Sequence, residues 1–157
     1  FGAPIFGWCS DYLGKRKVVM FWGTLLALIT ISSVIYLPEL SQFALTSLLF
    51  LFGFAISSFL LCFTMIREIH SIALAATSIG FMNAFDALFG AFSDPLAGKL
   101  LDATWDGRMA DGARIFSASA YKLAFLIIPV YLCLALLSVL AIRDTRPRAS
   151  SPPSTLP

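Results

Sequence analysis

Gly7-Trp8-Cys9-Ser10-Asp11-Tyr12-Leu13-Gly14-Lys15-Arg16-Lys17 lies between an apolar beginning, Phe1 to Phe6, and an apolar run from Val18 to Leu37. A hydrocarbon core about 30 Å thick takes about 20 apolar residues in helical form. Val18–Leu37 meets that length and stops at Pro38-Glu39. The quoted segment, with two glycines, one acid and three bases, therefore reads as a tight turn at a membrane surface between two closely approaching helices. Phe1–Trp8 reads as the end of a preceding span. The chain begins there without Met, so it is expected to be part of a longer protein.

Working outward, the same length test finds three more spans: 43–66, ending at Arg67-Glu68; 72–101, rich in small and polar residues; and 123–142, closed by Arg143-Asp144. Hydrophobic residues make up 59% of the chain and charged residues 13%, about half the share usual in a soluble domain. A signal peptide has one short apolar region, whereas here the apolar runs recur. Barrel strands are runs of about 10 alternating residues, which these are not. The expected fold is an all-α integral membrane protein with four spans and the tail of an earlier one.

A net charge of +2 gives no reason to expect nucleic acid. Cys9, Cys62 and Cys133 have no paired spacing and lie in or beside apolar runs, so they read as small hydrophobes. No metal set, cofactor or catalytic constellation is apparent, and an enzyme is not expected; His70 alone does not make a transferase site. Lys15, Arg16, Lys17, Arg67, Arg143, Arg146 and Arg148 fall at one side of the alternating spans, and Lys99, Arg108, Arg114 and Lys122 at the other. The excess of bases places the first side in the cytoplasm. Residues 145–157, rich in Pro, Ser and Arg, read as a disordered cytoplasmic tail after a membrane domain over 1–144. The loop Asp102–Ser119, with turn pairs Asp106-Gly107 and Asp111-Gly112, reads as a compact cap on the other side.

The third span carries the most chemistry. At about 100° per residue, Gly80, Asn83, Asp86, Ala87, Gly90, Asp94, Ala97 and Gly98 share a sector of roughly 120°. Phe81, Phe85, Leu88, Phe89, Phe92 and Leu96 point the other way. Gly80, Gly90 and Gly98 suit close helix packing. The carboxylates need more, because an ionised group at bilayer depth costs a few kcal/mol (about 3) on insertion scales. Asp86, Asn83 and Asp94 are therefore candidate coupling or substrate contacts, with a hydrogen bond or ion pair to another helix as the alternative. Asp86 and Asp94 are about 12 Å apart along the axis, too far for a shared-proton dyad. In the second span Thr46, Gly53, Ser57 and Thr64 recur at helical spacing and suit packing or a cavity lining. Arg67-Glu68 reads as either a cross-helix charge lock or a solvated boundary pair. Pro129 in the last span predicts a kink.

Three of these segments carry a resemblance. The pattern G-x-x-S-D-x-x-G-K-R-K (Gly7, Asp11, Gly14, Lys15, Arg16, Lys17) resembles the signature loop of the major facilitator superfamily of secondary transporters. Arg67-Glu68-Ile69-His70 is similar to the charged turn after that family's tenth helix. Gly80-Phe81-Met82-Asn83, through Gly90 to Pro95-Leu96-Ala97-Gly98-Lys99-Leu100-Leu101-Asp102, resembles its eleventh. Tyr12 departs from the basic residue often found there, and Asp86 and Asp94 are not general family features. The resemblance implies helices nine to twelve of a twelve-helix fold, with Asp11 and the bases after it as a cytoplasmic latch. It also implies alternating access: two six-helix halves rock around a central site, the eleventh helix packs against the opposite half, and the ninth and twelfth are scaffold. The expected function is transport of a small organic solute, as proton- or ion-coupled symport. Expected partners are the solute, H+ or another ion, the lipid bilayer and the N-terminal half of the same protein. The expected location is a bacterial inner membrane with the C-terminus cytoplasmic. An exporter of the same fold, or a non-transporting receptor or assembly subunit, is the alternative.

Overall fold

The computed structural model describes residues 1–110 and 112–144. Seven α-helices account for most of them: α1 (Gly2–Leu13), α2 (Arg16–Tyr36), α3 (Gln42–Ile56), α4 (Leu61–Ile69), α5 (Ile72–Ala103), α6 (Ala118–Ala124) and α7 (Ile127–Ala141). A 3-10 turn over Ser57–Leu60 joins α3 to α4 into one rod. Four rods, 16–36, 42–69, 72–103 and 118–141, are long and apolar enough to cross a membrane. The protein is an all-α, multi-pass membrane protein. The two-residue strands Met109–Ala110 and Ala113–Arg114 do not alter that class.

The fourth rod starts at Ala118, five residues before the expected 123, because Ser117 caps it by accepting a hydrogen bond from the Ala120 N–H at 3.2 Å. Pro129 lies one turn beyond a short irregularity in the fourth rod, where Phe125 and Leu126 keep right-handed helical dihedrals. It cannot donate to the carbonyl of Phe125, four residues back, and regular α-helical bonding is interrupted for two residues, Phe125-Leu126, between α6 and α7. The larger correction concerns the opening segment. Gly7 through Leu13 continue α1, and only Gly14 and Lys15 interrupt the helix. Gly14 takes the left-handed conformation (φ 61°, ψ 19°) that ends helices most easily without a Cβ, and Lys15 is extended. The turn is thus two residues long.

The core forms around α2, which packs against α3 on one side and α7 on the other. One cluster, Val19, Met20, Leu61, Met65 and Val139, lies toward the α2 start; another, Ala27, Ile31, Ala55 and Leu132, lies deeper along the rod. Two glycines let the backbones close on the 3-10 turn. A Cβ on Gly23 would overlap the Ser58 side chain and come within 3.3 Å of the Ala55 carbonyl oxygen. One on Gly2 would overlap Ser57 Oγ and stand 2.8 Å from the Phe54 carbonyl oxygen. This is the small-residue packing that lets membrane helices approach, and Ser57 serves it, as its spacing allowed. Hydroxyls within the spans bond back to their own helices: Thr30 to the Leu26 carbonyl at 2.8 Å, Ser33 to Ile29 at 2.8 Å and Ser138 to Leu134 at 2.8 Å.

The loop after α5 is the compact cap expected of it. Arg114 pairs with Asp102 at 2.6 Å and lies over the Trp105 ring, 4.8 Å from its centroid, while Trp105 Nε1 donates to the Arg108 carbonyl at 3.0 Å. Arg108 donates to Asp106 and holds its carboxyl below the usual carboxylate range. Asp111 of the second turn pair and the expected tail over 145–157 lie outside the described residues.

Candidate functional site: a buried arginine cluster and an uncovered polar stripe

The two-residue turn at Gly14-Lys15 sets Arg16 at the first position of α2, facing back along α1. Its guanidinium is 5% exposed, so its charge requires compensation. Nε donates to Glu68 Oε2 at 2.7 Å and Nη2 to Glu68 Oε1, a two-pronged pair between α2 and α4. Nη1 donates to Ser10 Oγ and lies beside Asp11 Oδ1, both at 3.1 Å. Ser10 is fully buried, and the Asp11 side chain is 65% exposed against 17% for Glu68. The strength of the cluster therefore lies in the Glu68 pair; an exposed contact such as Asp11's adds at most about 1 kcal/mol.

Lys17 extends the cluster to the last helix. Its backbone N–H donates to Asp144 Oδ1 at 3.1 Å and its Nζ to the Leu140 carbonyl, at the C-terminus of α7, at 2.6 Å. A cation there also meets the negative end of the helix dipole. One charge cluster thus ties together the end of α1, the start of α2 and the ends of α4 and α7. At the opposite end of the bundle Lys122 reaches the Tyr36 carbonyl at 3.5 Å. Among the described residues, Arg16 and Lys17 of the first set and Lys122 of the second lie at opposite ends of the bundle. Of the signature segment, Asp11, Arg16 and Lys17 enter the cluster, Gly14 makes the turn, Gly7 lies within α1, and Lys15 is exposed. The cross-helix lock uses Glu68, with Arg16 rather than Arg67 as its cation; Arg67 is exposed.

Ser10, Glu68 and Asp144 are partners that the candidate residues did not include. Ser10 stood inside the quoted pattern, and its burial follows from the close turn. For Glu68 the sequence left open a cross-helix lock or a solvated boundary pair with Arg67, and named no partner on another helix. Its pairing across 52 residues depends on how α4 packs.

The other candidates all lie on α5. Asn83, Asp86 and Asp94 are exposed, as are Gly80, Gly90 and Gly98, and a Cβ added to any of these glycines would meet nothing. Of α5, only Ala75 is buried among the described residues. The helix runs through Pro95 to Ala103. It leans on α7 through Tyr131, whose hydroxyl is 3.0 Å from Ser93 Oγ and whose ring meets Phe89 edge-on, with centroids 5.6 Å apart. Its main packing is against α6 and α4, and its glycines face open space. No group of three metal-ligating side chains occurs among the described residues. Compared with known proteins, the chain matches no family model, no curated protein and no solved structure.

Proposed function

We propose that the chain is the C-terminal portion, helices nine to twelve, of a major facilitator superfamily secondary transporter that moves a small organic solute by alternating access, as proton- or ion-coupled symport. The observation that carries this reading is the Arg16 cluster. Two segments that separately resemble family motifs, Gly7–Lys17 and Arg67–His70, meet in one ion-pair network although 52 residues separate Arg16 from Glu68. Arg16 paired with Glu68 and Lys17 with the α7 terminus make a latch at one end of the bundle. Such a latch suits a bistable fold, because it holds one arrangement of helix ends that another can exchange for new partners. The excess of bases supports a cytoplasmic position for this end, and the reading takes the membrane to be a bacterial inner membrane. Asp86, Asn83 and Asp94, carried on the outermost span, face the solute path or the other half of the transporter.

The test is uptake by the full-length protein in proteoliposomes, with pooled amino acids, carboxylates and sugars and an imposed proton gradient. Gradient-driven uptake that is lost in Asp86→Asn is the expected result. No uptake of any pool under any gradient would turn the reading toward a non-transporting receptor or assembly subunit.

A further inference from the structure

Between α5 and α7, about halfway along α5 and in the second half of the last rod, lies an open groove of about 300 Å³ lined by Asp86, Phe89, Tyr131, Leu134, Ala135 and Ser138. Asp86 is 14 residues from the start of α5, about 21 Å along its axis, which places the carboxylate near mid-membrane. Among the described residues it has no ion pair and no side-chain hydrogen bond. The Ser138 hydroxyl is committed to the Leu134 carbonyl at 2.8 Å, and the Tyr131 hydroxyl accepts from Ser93 Oγ at 3.0 Å. The groove therefore presents one carboxylate, two aromatic rings and otherwise aliphatic walls.

We infer that this groove binds an organic cation: a quaternary or primary ammonium group seated at Asp86, with its apolar body between α5 and α7. The chemistry of the lining selects that class. An anion would meet the carboxylate without a base in the groove, and a sugar would meet few free hydrogen-bonding partners. A metal ion would have a single carboxylate ligand. An ammonium with a carbon body satisfies both features, because the charge pairs with Asp86 and the aromatic rings attract the cation. The Phe89 and Tyr131 rings lie edge-to-face, 5.6 Å apart between centroids, with Phe89 one helical turn from the carboxylate, and it is a ring face that attracts the cation. Burying the apolar body against Leu134 and Ala135 supplies the remaining affinity. The inference deepens the transport reading and rests on it only for the cation's being cargo.

Equilibrium binding of radiolabelled benzyltrimethylammonium to the full-length protein in nanodiscs tests it separately from transport. Saturable binding is expected that the neutral carbon isostere neopentylbenzene fails to displace. Asp86→Asn should weaken binding about thirtyfold or more, and Asp86→Glu should retain most of it. Phe89→Leu and Tyr131→Leu should each weaken it by about two- to thirtyfold, whereas Tyr131→Phe, which keeps the ring, should stay near wild type. Should Asp86→Asn fail to fold, the two ring variants and Asp86→Glu decide the matter. Absence of saturable binding to the wild type, or equal binding by Asp86→Asn, overturns the inference. Cation binding without uptake would contradict the transport reading alone, and uptake of an anion or sugar without cation binding would contradict this inference alone.

Discussion

α2 and α5 both qualify as membrane spans, yet 33% of the most apolar stretch of α2 is buried inside the molecule against 6% for α5. Composition does not predict that order. α2 carries Arg16 and Lys17 at its start, and α5 carries more glycine. What separates them is which neighbours their surfaces meet. α2 has Gly23 where Ser58 must approach, a cluster of apolar residues facing α4 and α7, and a terminal arginine with a partner on another helix. α5 has its glycines on a face that no described element covers. A small-residue stripe permits close packing; it does not say whether the packing partner lies within the same stretch of chain.

The largest effect that would test this contrast is at Glu68. Glu68→Ala leaves the Arg16 charge buried without its main partner, and a loss of about 3–5 kcal/mol is expected in unfolding of the detergent-solubilised protein. A change below about 1 kcal/mol would show that Arg16 finds water or another acid, and that α2 is not held by this lock. Next comes a matched pair on the 157-residue chain. Gly23→Ala forces the Ser58 contact apart and should cost about 1–3 kcal/mol. Gly90→Ala, with open space at its Cβ, should instead gain up to about 1 kcal/mol from the backbone entropy of glycine. If Gly90→Ala gains stability in this chain but loses it in the longer transporter proposed above, another helix covers the stripe there; equal losses for Gly23→Ala and Gly90→Ala in this chain would abolish the distinction.

Smaller changes sharpen the account of the cluster. Asp11→Asn should cost no more than about 1 kcal/mol, because its contact with Arg16 is solvent-exposed. A loss as large as that of Glu68→Ala would move the centre of the latch to α1. The smallest effect expected is in the cap. The carboxyl of Asp106 is held low by Arg108, so its contribution is present above the ordinary aspartate range and fades as pH falls through its depressed folded value. Titration of the Asp106 carboxyl by NMR should give a midpoint below that of an unfolded peptide, and Arg108→Gln, which keeps the backbone N–H bond, should raise it toward the ordinary value. An unchanged midpoint in Arg108→Gln would remove this pair from the cap.

The spans were legible in the sequence because an apolar run of given length has one favourable environment. The sidedness of the bases was legible for a similar reason, and Lys17 and Lys122 do sit at opposite bundle ends. The segment from Gly7 to Lys17 was harder. Its polar and glycine residues suggested a longer turn, but Gly7 and Ser10 are accommodated within α1, and burial of Ser10 against Arg16 makes a polar residue acceptable there. Pairings across the fold were not readable. Glu68 could have faced water, Arg67 or Arg16, and only the packing of α4 beside α2 decides among them. The stripe on α5 was legible as a face, but its partner was not, because a helical period shows which residues align and not what lies opposite them.

The most direct test of the proposed contrast, α2 as a scaffold span and α5 as a solute-facing one, is aqueous accessibility in the longer transporter proposed above. Cys9, Cys62 and Cys133 would first be replaced by serine or alanine. Single cysteines would then be placed as Asn83→Cys on α5 and Ala27→Cys on α2 and exposed to a membrane-impermeant maleimide. The account predicts that Asn83→Cys reacts from water, at a rate that changes when transported solute is added, while Ala27→Cys stays unreactive. Asn83→Cys that is silent to the aqueous reagent and labelled only from the lipid phase would contradict it, and would make the polar face of α5 a lipid-exposed surface with no part in moving solute.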